Sequence, residues 1–309
     1  REASSNSQQE SERRMQKIIP HLWFDNQAEE AMNFYTSIFK HSKIVNIAHY
    51  GEAGAEVSGK PKGTVMTVTF ELEGQEFGAL NGGPSFHFSP AVSFFVNCKT
   101  QEEVDALWEK LSAGGTVLME LDTYPFSEKF GWLEDRFGIS WQLNLASRTQ
   151  KITPSFLFVG EQHGKAEEAI HFYVSLFKNS SVIRIERYGA GEEDPEGTVK
   201  YAMFSLNGQE FIAMDSKREH PFTFTPAISF LVNCQTQEEV DELWEKLAEG
   251  GEEEACGWLK DKYGVSWQIV PTVLGEMLGD TNPERSQKVM RAMLQMKKID
   301  IKTLQEAYE

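Results

Sequence analysis

The sequence predicts an α+β chain of four strand-helix-three-strand modules followed by a helical extension. Three observations carry that expectation. Residues 130–142 (FGWLEDRFGISWQ) are nearly repeated at 256–268 (CGWLKDKYGVSWQ), and each copy reads as strand, turn, strand. Aligning the copies divides residues 17–271 into two similar halves, with KIIPHLWF matching KITPSFLF and AEEAMNFYTSIF matching AEEAIHFYVSLF. Within each half the order of strand, helix and three strands occurs twice.

Residues 17–24 form the first predicted strand. Residues 28–39 form an amphipathic helix, because Ala28, Ala31, Met32, Tyr35, Ile38 and Phe39 recur at three- and four-residue steps. A strand at 42–50 and a Gly-rich polar loop at 51–63 follow. Alternating Met66, Val68, Phe70 and Leu72 make 64–72 a strand, and Glu73-Gly74 turns it into another at 75–81. The second module has a strand at 91–98, then a helix at 100–111 opened by a Thr100–Glu103 capping box and ended at Gly114-Gly115. Its last strands are 116–122, 131–134 and 140–145. The second half repeats the cycle with one deletion. Fifteen residues separate the Gly pair from the Gly-Trp strand in the first half and five in the second, so one strand there is short or missing. That exposed edge needs cover, and the C-terminal segment is the candidate. Asn282-Pro283-Glu284 starts a helix with a Met-rich apolar stripe, and a final helix spans 301–308. The predicted organisation is a tail over 1–16, disordered or foreign to the fold. A first domain at 17–146, a linker at 147–150, a second domain at 151–272 and a helical extension at 273–309 follow. Met15 reads as an original start.

The net charge of −17 over 309 residues argues against a nucleic-acid or anionic-membrane partner. No run of 18 apolar residues marks a membrane helix. Three cysteines without CxxC spacing give neither a disulfide framework nor a zinc site. Cys98 and Cys234 hold matching places and read as reduced core residues of a cytoplasmic protein.

The paired modules, the AEEA-x-x-FY helix, the NC-x-TQEEVD-x-LWEKL helix and the W-L-x-D-[KR]-[FY]-G-[IV]-SWQ strand pair resemble the PhnB-like proteins. These are also labelled 3-demethylubiquinone-9 3-methyltransferase-like. They belong to the vicinal oxygen chelate superfamily, with glyoxalase I, extradiol dioxygenases and bleomycin-resistance proteins. The resemblance implies two glyoxalase-like domains, each a curled mixed sheet around a cup-shaped cavity. The modules would pair within a half or be exchanged between halves.

The superfamily's metal enzymes carry His or Glu ligands on the first and last strands of each module. The corresponding positions here are His21 or Pro20, Asn81 or Ala79, Val92 or Ser93, and Gln142. The second half offers Ser155, Asp215, Ile228 or Ser229, and Gln268. Amides and hydroxyls replace most of the imidazoles and carboxylates. No cofactor is therefore predicted, and a divalent metal using His21 and Asp215 is the alternative. The glycines of 189–191 and 51–54 open no apolar-periodic helix, which removes the sequence support for a doubly wound methyltransferase. The expected function is small-molecule binding in one or both cups, with His21, Asn81, Ser93, Trp132, Gln142, Asp215, Ser229, Trp258 and Gln268 as candidate contacts. A metal-dependent lyase, isomerase or dioxygenase is the alternative function. Homodimerisation through the Met-rich helices is a further open expectation.

Overall fold

The computed structural model describes residues 15–309, so the expectation for residues 1–14 lies outside the described residues. The first module comprises β1 (Ile18–Phe24), α1 (Ala28–Ile38), β2 (Lys43–His49), α2 (Glu52–Ser58), β3 (Val65–Leu72) and β4 (Gln75–Asn81). The second contains β5 (Val92–Cys98), α3 (Gln101–Ser112), β6 (Thr116–Tyr124), β7 (Ser127–Glu134) and β8 (Ser140–Leu145). The third contains β9 (Ile152–Phe158), α4 (Ala166–Leu176), β10 (Ser181–Arg187), β11 (Val199–Leu206) and β12 (Gln209–Asp215). The fourth contains β13 (Ile228–Cys234), α5 (Gln237–Ala248), β14 (Glu252–Glu253), β15 (Trp258–Lys260) and β16 (Ser266–Pro271). The extension forms α6 (Thr272–Leu278), α7 (Pro283–Leu294) and α8 (Ile301–Tyr308).

The modules pair across the halves. One eight-stranded sheet runs β14-β15-β16-β13-β1-β4-β3-β2 and joins the first module to the fourth. The other runs β10-β11-β12-β9-β5-β8-β7-β6 and joins the second to the third. The seams are antiparallel, with His21 opposite Ser229 in β1–β13 and Ser93 opposite Ser155 in β5–β9. Each repeat visible in the sequence therefore contributes one module to each sheet.

The helices knit each half together between the sheets. The Tyr35 hydroxyl on α1 donates to Asp135 Oδ2 at 2.5 Å in the β7–β8 turn of the other sheet. Trp141 Nε1 donates to the same oxygen at 2.9 Å, and the Phe137 and Ile139 N–H groups donate to Oδ1. Tyr173, Trp267, Tyr263 and Val265 do the same around Asp261. The repeated D-[KR]-[FY]-G-[IV]-S-W pattern is thus a folding hub: a buried carboxylate accepts four donors, and Gly138 and Gly264 take the positive φ of the turn. The two sheets are also clamped by glutamines. Gln75 accepts from the Ile152 N–H and donates to its carbonyl, and Gln209 does the same for Ile18.

The short β14 leaves the N–H groups before β15 without a strand neighbour. The extension supplies carbonyls: Cys256 N–H donates to Met296 O and Gly257 N–H to Lys297 O, both at 2.8 Å. Asn282 caps α7 as its sequence indicates, accepting from Glu284 and Arg285. Two helices depart from the sequence reading. The expected loop at 51–63 contains α2, which buries Ala53 and Gly54 and receives Gln287 of α7 on the Ala53 N–H. The helix α6 was not expected at 272–278, and Leu274 and Met277 bury it in a small apolar cluster with Val289, Ile299 and Leu304. Both are short elements set by packing rather than by local periodicity. Among the described residues no helix is long and apolar enough to cross a membrane.

Candidate functional site

Strand alternation decides which side chains meet the cup. On β5, β8 and β9, Phe94, Val96, Trp141, Leu143 and Phe156 turn to the helices and are buried. Their neighbours Ser93, Phe95, Asn97, Gln142, Asn144, Ser155 and Leu157 line a cavity of about 780 Å³ in the sheet of the second and third modules. Its walls are apolar: Phe130, Trp132 and Met119 come from β6 and β7, Ile212 and Met214 from β12, and Met203 from β11. Phe126 stands at the hairpin tip, 66% exposed, and packs on Phe130 with ring centroids 5.0 Å apart. This is the hairpin that the second half lacks.

The rim is charged but paired. Lys200 lies 3.0 Å from Glu192, Arg218 2.8 Å from Glu193, Arg184 3.5 Å from Glu186 and Arg148 3.8 Å from Glu210. Burial pushes the Tyr201 phenol above its ordinary pKa, so it stays a neutral hydroxyl in the wall.

The twin cup, in the sheet of the first and fourth modules, is filled from within. Its His21 imidazole lies where a Cβ on Gly78 would be, with Nε2 only 2.2 Å from that point. The Trp23 ring occupies the same place over Gly82, and its Nε1 donates to Gly83 O at 3.0 Å. Trp23 packs edge-on against Phe86 and Trp258, at 4.8 and 5.8 Å. The open cup has Ser155 and Ile212 for the first pair and Leu157 and Ser216 for the second. A bulky side chain on the first strand matched by glycine on or just after the fourth is what fills one cup. Leu157 in place of Trp23 leaves room in the other. Burial lowers the His21 pKa to about 4, and its Nδ1 is enclosed without a partner among the described residues.

The nine candidate residues consequently fall into three groups. Ser93, Trp132 and Gln142 meet at the open cavity. His21, Ser229, Trp258 and Gln268 belong to the filled cup, where Gln268 Nε2 donates to Ser229 Oγ at 2.9 Å. Asn81 and Asp215 each receive backbone N–H groups, and Asp215 also lines the open cavity. Asn81 Oδ1 accepts from the Ala28 N–H, and Asp215 Oδ1 accepts from Gly164 and Ala166 while Oδ2 accepts from Val199. These side chains cap α1 and α4, whose own N-cap positions, Gln27 and Lys165, make no side-chain cap. Burial raises the Asp215 pKa against those backbone hydrogen bonds.

His21 and Asp215 stand in different sheets, so they cannot share one ion. The cup-facing positions of the open site carry Ser93, Gln142, Ser155 and Ile212, and those of the filled one His21, Gly78, Ser229 and Gln268. Neither set fits a resident divalent metal, which needs several imidazole or carboxylate donors. Among the described residues no three His, Cys, Asp or Glu side chains gather as a metal cluster. Sequence reasoning passed over Phe95, Phe126, Phe130 and Met203. The longer first-half hairpin was the one visible signal, and only for Phe126 and Phe130.

A family model described as 3-demethylubiquinone-9 3-methyltransferase matches residues 16–144 and 150–270. The chain belongs to that family. Among solved structures, a PhnB protein from Bacillus cereus is 50% identical over 42% of this chain and 100% of its own, with a TM-score of 0.39. A protein from Staphylococcus aureus is 36% identical over 43% of this chain and 98% of its own, with a TM-score of 0.18. Glyoxalase I from Zea mays is 10% identical but covers 84% of this chain and 92% of its own at a TM-score of 0.55, a likeness of fold. The search of curated proteins returned no match. The fold of this chain is that of glyoxalase I.

Proposed function

We propose that the chain binds a small, uncharged, largely planar organic molecule in the cup shared by the second and third modules. The observation that carries this reading is the cavity of about 780 Å³, walled by aromatic and Met side chains over a floor of neutral polar groups. Such an enclosure suits a drug-sized ligand, with apolar burial giving affinity and a few polar groups giving orientation. The floor groups Ser93, Gln142 and Ser155 are neutral, which favours a neutral occupant. Methyl transfer rests on the family's description alone, and the donor sets give no support to a metal-dependent reaction.

The test is titration with naphthol followed by tryptophan fluorescence and calorimetry. Saturable binding at one site per chain is expected. The double variant Leu157→Trp/Ser216→Gly copies the Trp23–Gly82 pair of the filled cup. It should weaken binding by about ten-fold or more, as steric filling of a pocket does. Absence of saturable binding, or the same affinity in the double variant, would contradict the proposal.

A further inference from the structure

The two cups use the same residues at their floors but connect them differently. In the filled cup Gln268 donates to Ser229, Trp258 turns edge-on to Trp23, and Ser266 Oγ is buried with no partner among the described residues. In the open cup Trp132 Nε1 donates to Ser140 Oγ at 2.7 Å, and Ser140 Oγ lies 2.7 Å from Ser93 Oγ. An indole N–H only donates. Ser140 Oγ therefore accepts from Trp132, and because the single Ser93 hydroxyl proton goes to Pro90 O at 3.3 Å, Ser140 is the donor to Ser93. The direction of the relay is fixed at its last member, where Ser93 donates to a carbonyl that can only accept.

The consequence falls on Gln142. Its twin is held by a serine, whereas Ser93 Oγ is bonded to Ser140 and Pro90. Gln142 is 8% exposed and lines the cavity, and its amide takes no hydrogen bond from another described side chain. Its register neighbours are Phe95 on β5 and Trp132 on β7, both also lining the cavity. A carboxamide whose donor and acceptor no described side chain takes thus sits between two aromatic side chains and faces the cavity. The Ser155 hydroxyl lines the same floor.

We infer that Gln142 recognises the ligand through an edge that presents a donor and an acceptor side by side, as in a primary carboxamide, a lactam or an imide on a planar ring. The Trp132–Ser140–Ser93 relay is the positioning device that keeps Gln142 from folding back onto Ser93. Leu157 is what permits the relay, since a tryptophan there would draw Trp132 away as Trp23 draws Trp258. This inference rests on the proposed function and specifies its ligand class.

Two probes of equal shape separate the inference from the reading beneath it: naphthamide, with a donor and an acceptor, and methyl naphthoate, with acceptors only. Affinities for the full chain are measured by calorimetry. Wild type should prefer naphthamide by about ten-fold, the scale of one buried donor or acceptor left unmatched. Gln142→Leu should reduce that preference to within about two-fold, and Gln268→Leu in the filled cup should leave it unchanged. Ser140→Ala, at a position outside the cavity lining, should also erase the preference by releasing Gln142 to Ser93. A general loosening would instead weaken both probes equally. Equal binding of the two probes to wild type, or a preference that survives both Gln142→Leu and Ser140→Ala, overturns the role of Gln142 and leaves the cavity reading standing. Failure of wild type to bind either probe overturns the cavity reading itself.

Discussion

The different fates of equivalent residues begin with single side chains. His21 and Gly78 hold the places of Ser155 and Ile212, so a buried imidazole exists in one cup and a polar floor in the other. Its lowered pKa makes a signed prediction. An unfolded His binds a proton near its ordinary value of 6.5, and the folded one only near about 4. The stability linked to His21 is therefore full above the unfolded value and lost as pH falls toward the folded one. Between pH 7 and pH 4, urea titrations should show wild type losing up to about 3 kcal/mol that the His21→Ser variant does not lose. Parallel pH profiles for the two proteins would contradict the assignment. Asp261 is a second residue-scale case. Asp261→Ala leaves a Tyr hydroxyl, an indole N–H and two backbone N–H groups without their acceptor. Its expected cost is about 3–5 kcal/mol in equilibrium denaturation. Both aspartates were visible in the sequence as part of a repeated motif, but their role was not. The Tyr donor comes from a helix 88 residues away in Asp261's case, a distance no local pattern encodes. The same limit applies to Asn81 and Asp215. A polar residue ending a strand looks alike whether it faces the cup or caps a helix across the layer.

Among elements, the β6–β7 hairpin and the C-terminal extension explain why one cup is open. The long hairpin carries Met119, Phe126, Phe130 and Trp132 to the cavity wall, whereas its shortened twin is met by the chain at Met296 and Lys297. The sequence revealed this difference as a length change, and the capping signals at Thr100 and Asn282 gave the corresponding helix starts directly. The Thr236 cap was found in the structure, and the sequence also did not reveal α2 or α6, whose burial depends on α7 and on the apolar cluster of the extension. The hairpin tip yields a clean test because Phe126 is largely exposed and contributes little to the core. Phe126→Ala should change stability by no more than about 0.5 kcal/mol while weakening naphthol binding several-fold. A large stability loss, or unchanged affinity, would show that the tip is not part of the binding wall.

At the scale of the whole molecule, the sequence displays two consecutive repeats and the structure two sheets, and they are not the same units. Repeat boundaries were legible because duplication leaves matching residues. The exchange of modules was not, because β1 can meet either β5 or β13 with the same alternation of apolar residues. The seam registers and the Gln75 and Gln209 clamps tie one half to the other. A protease site placed in the linker at 147–149 should therefore yield two fragments that still elute together in size-exclusion chromatography. Separation into two fragments without denaturant would contradict the exchanged architecture. The central claim is that a small planar molecule occupies the cup built from the second and third modules and not its twin. Its most direct test is a crystal of the chain grown with a bromonaphthamide, with the bromine located by anomalous scattering. One bromine inside the cavity lined by Phe95, Trp132, Gln142 and Met203 is the predicted result. A bromine in the cup filled by Trp23 and His21, or only on the outer surface, would contradict it.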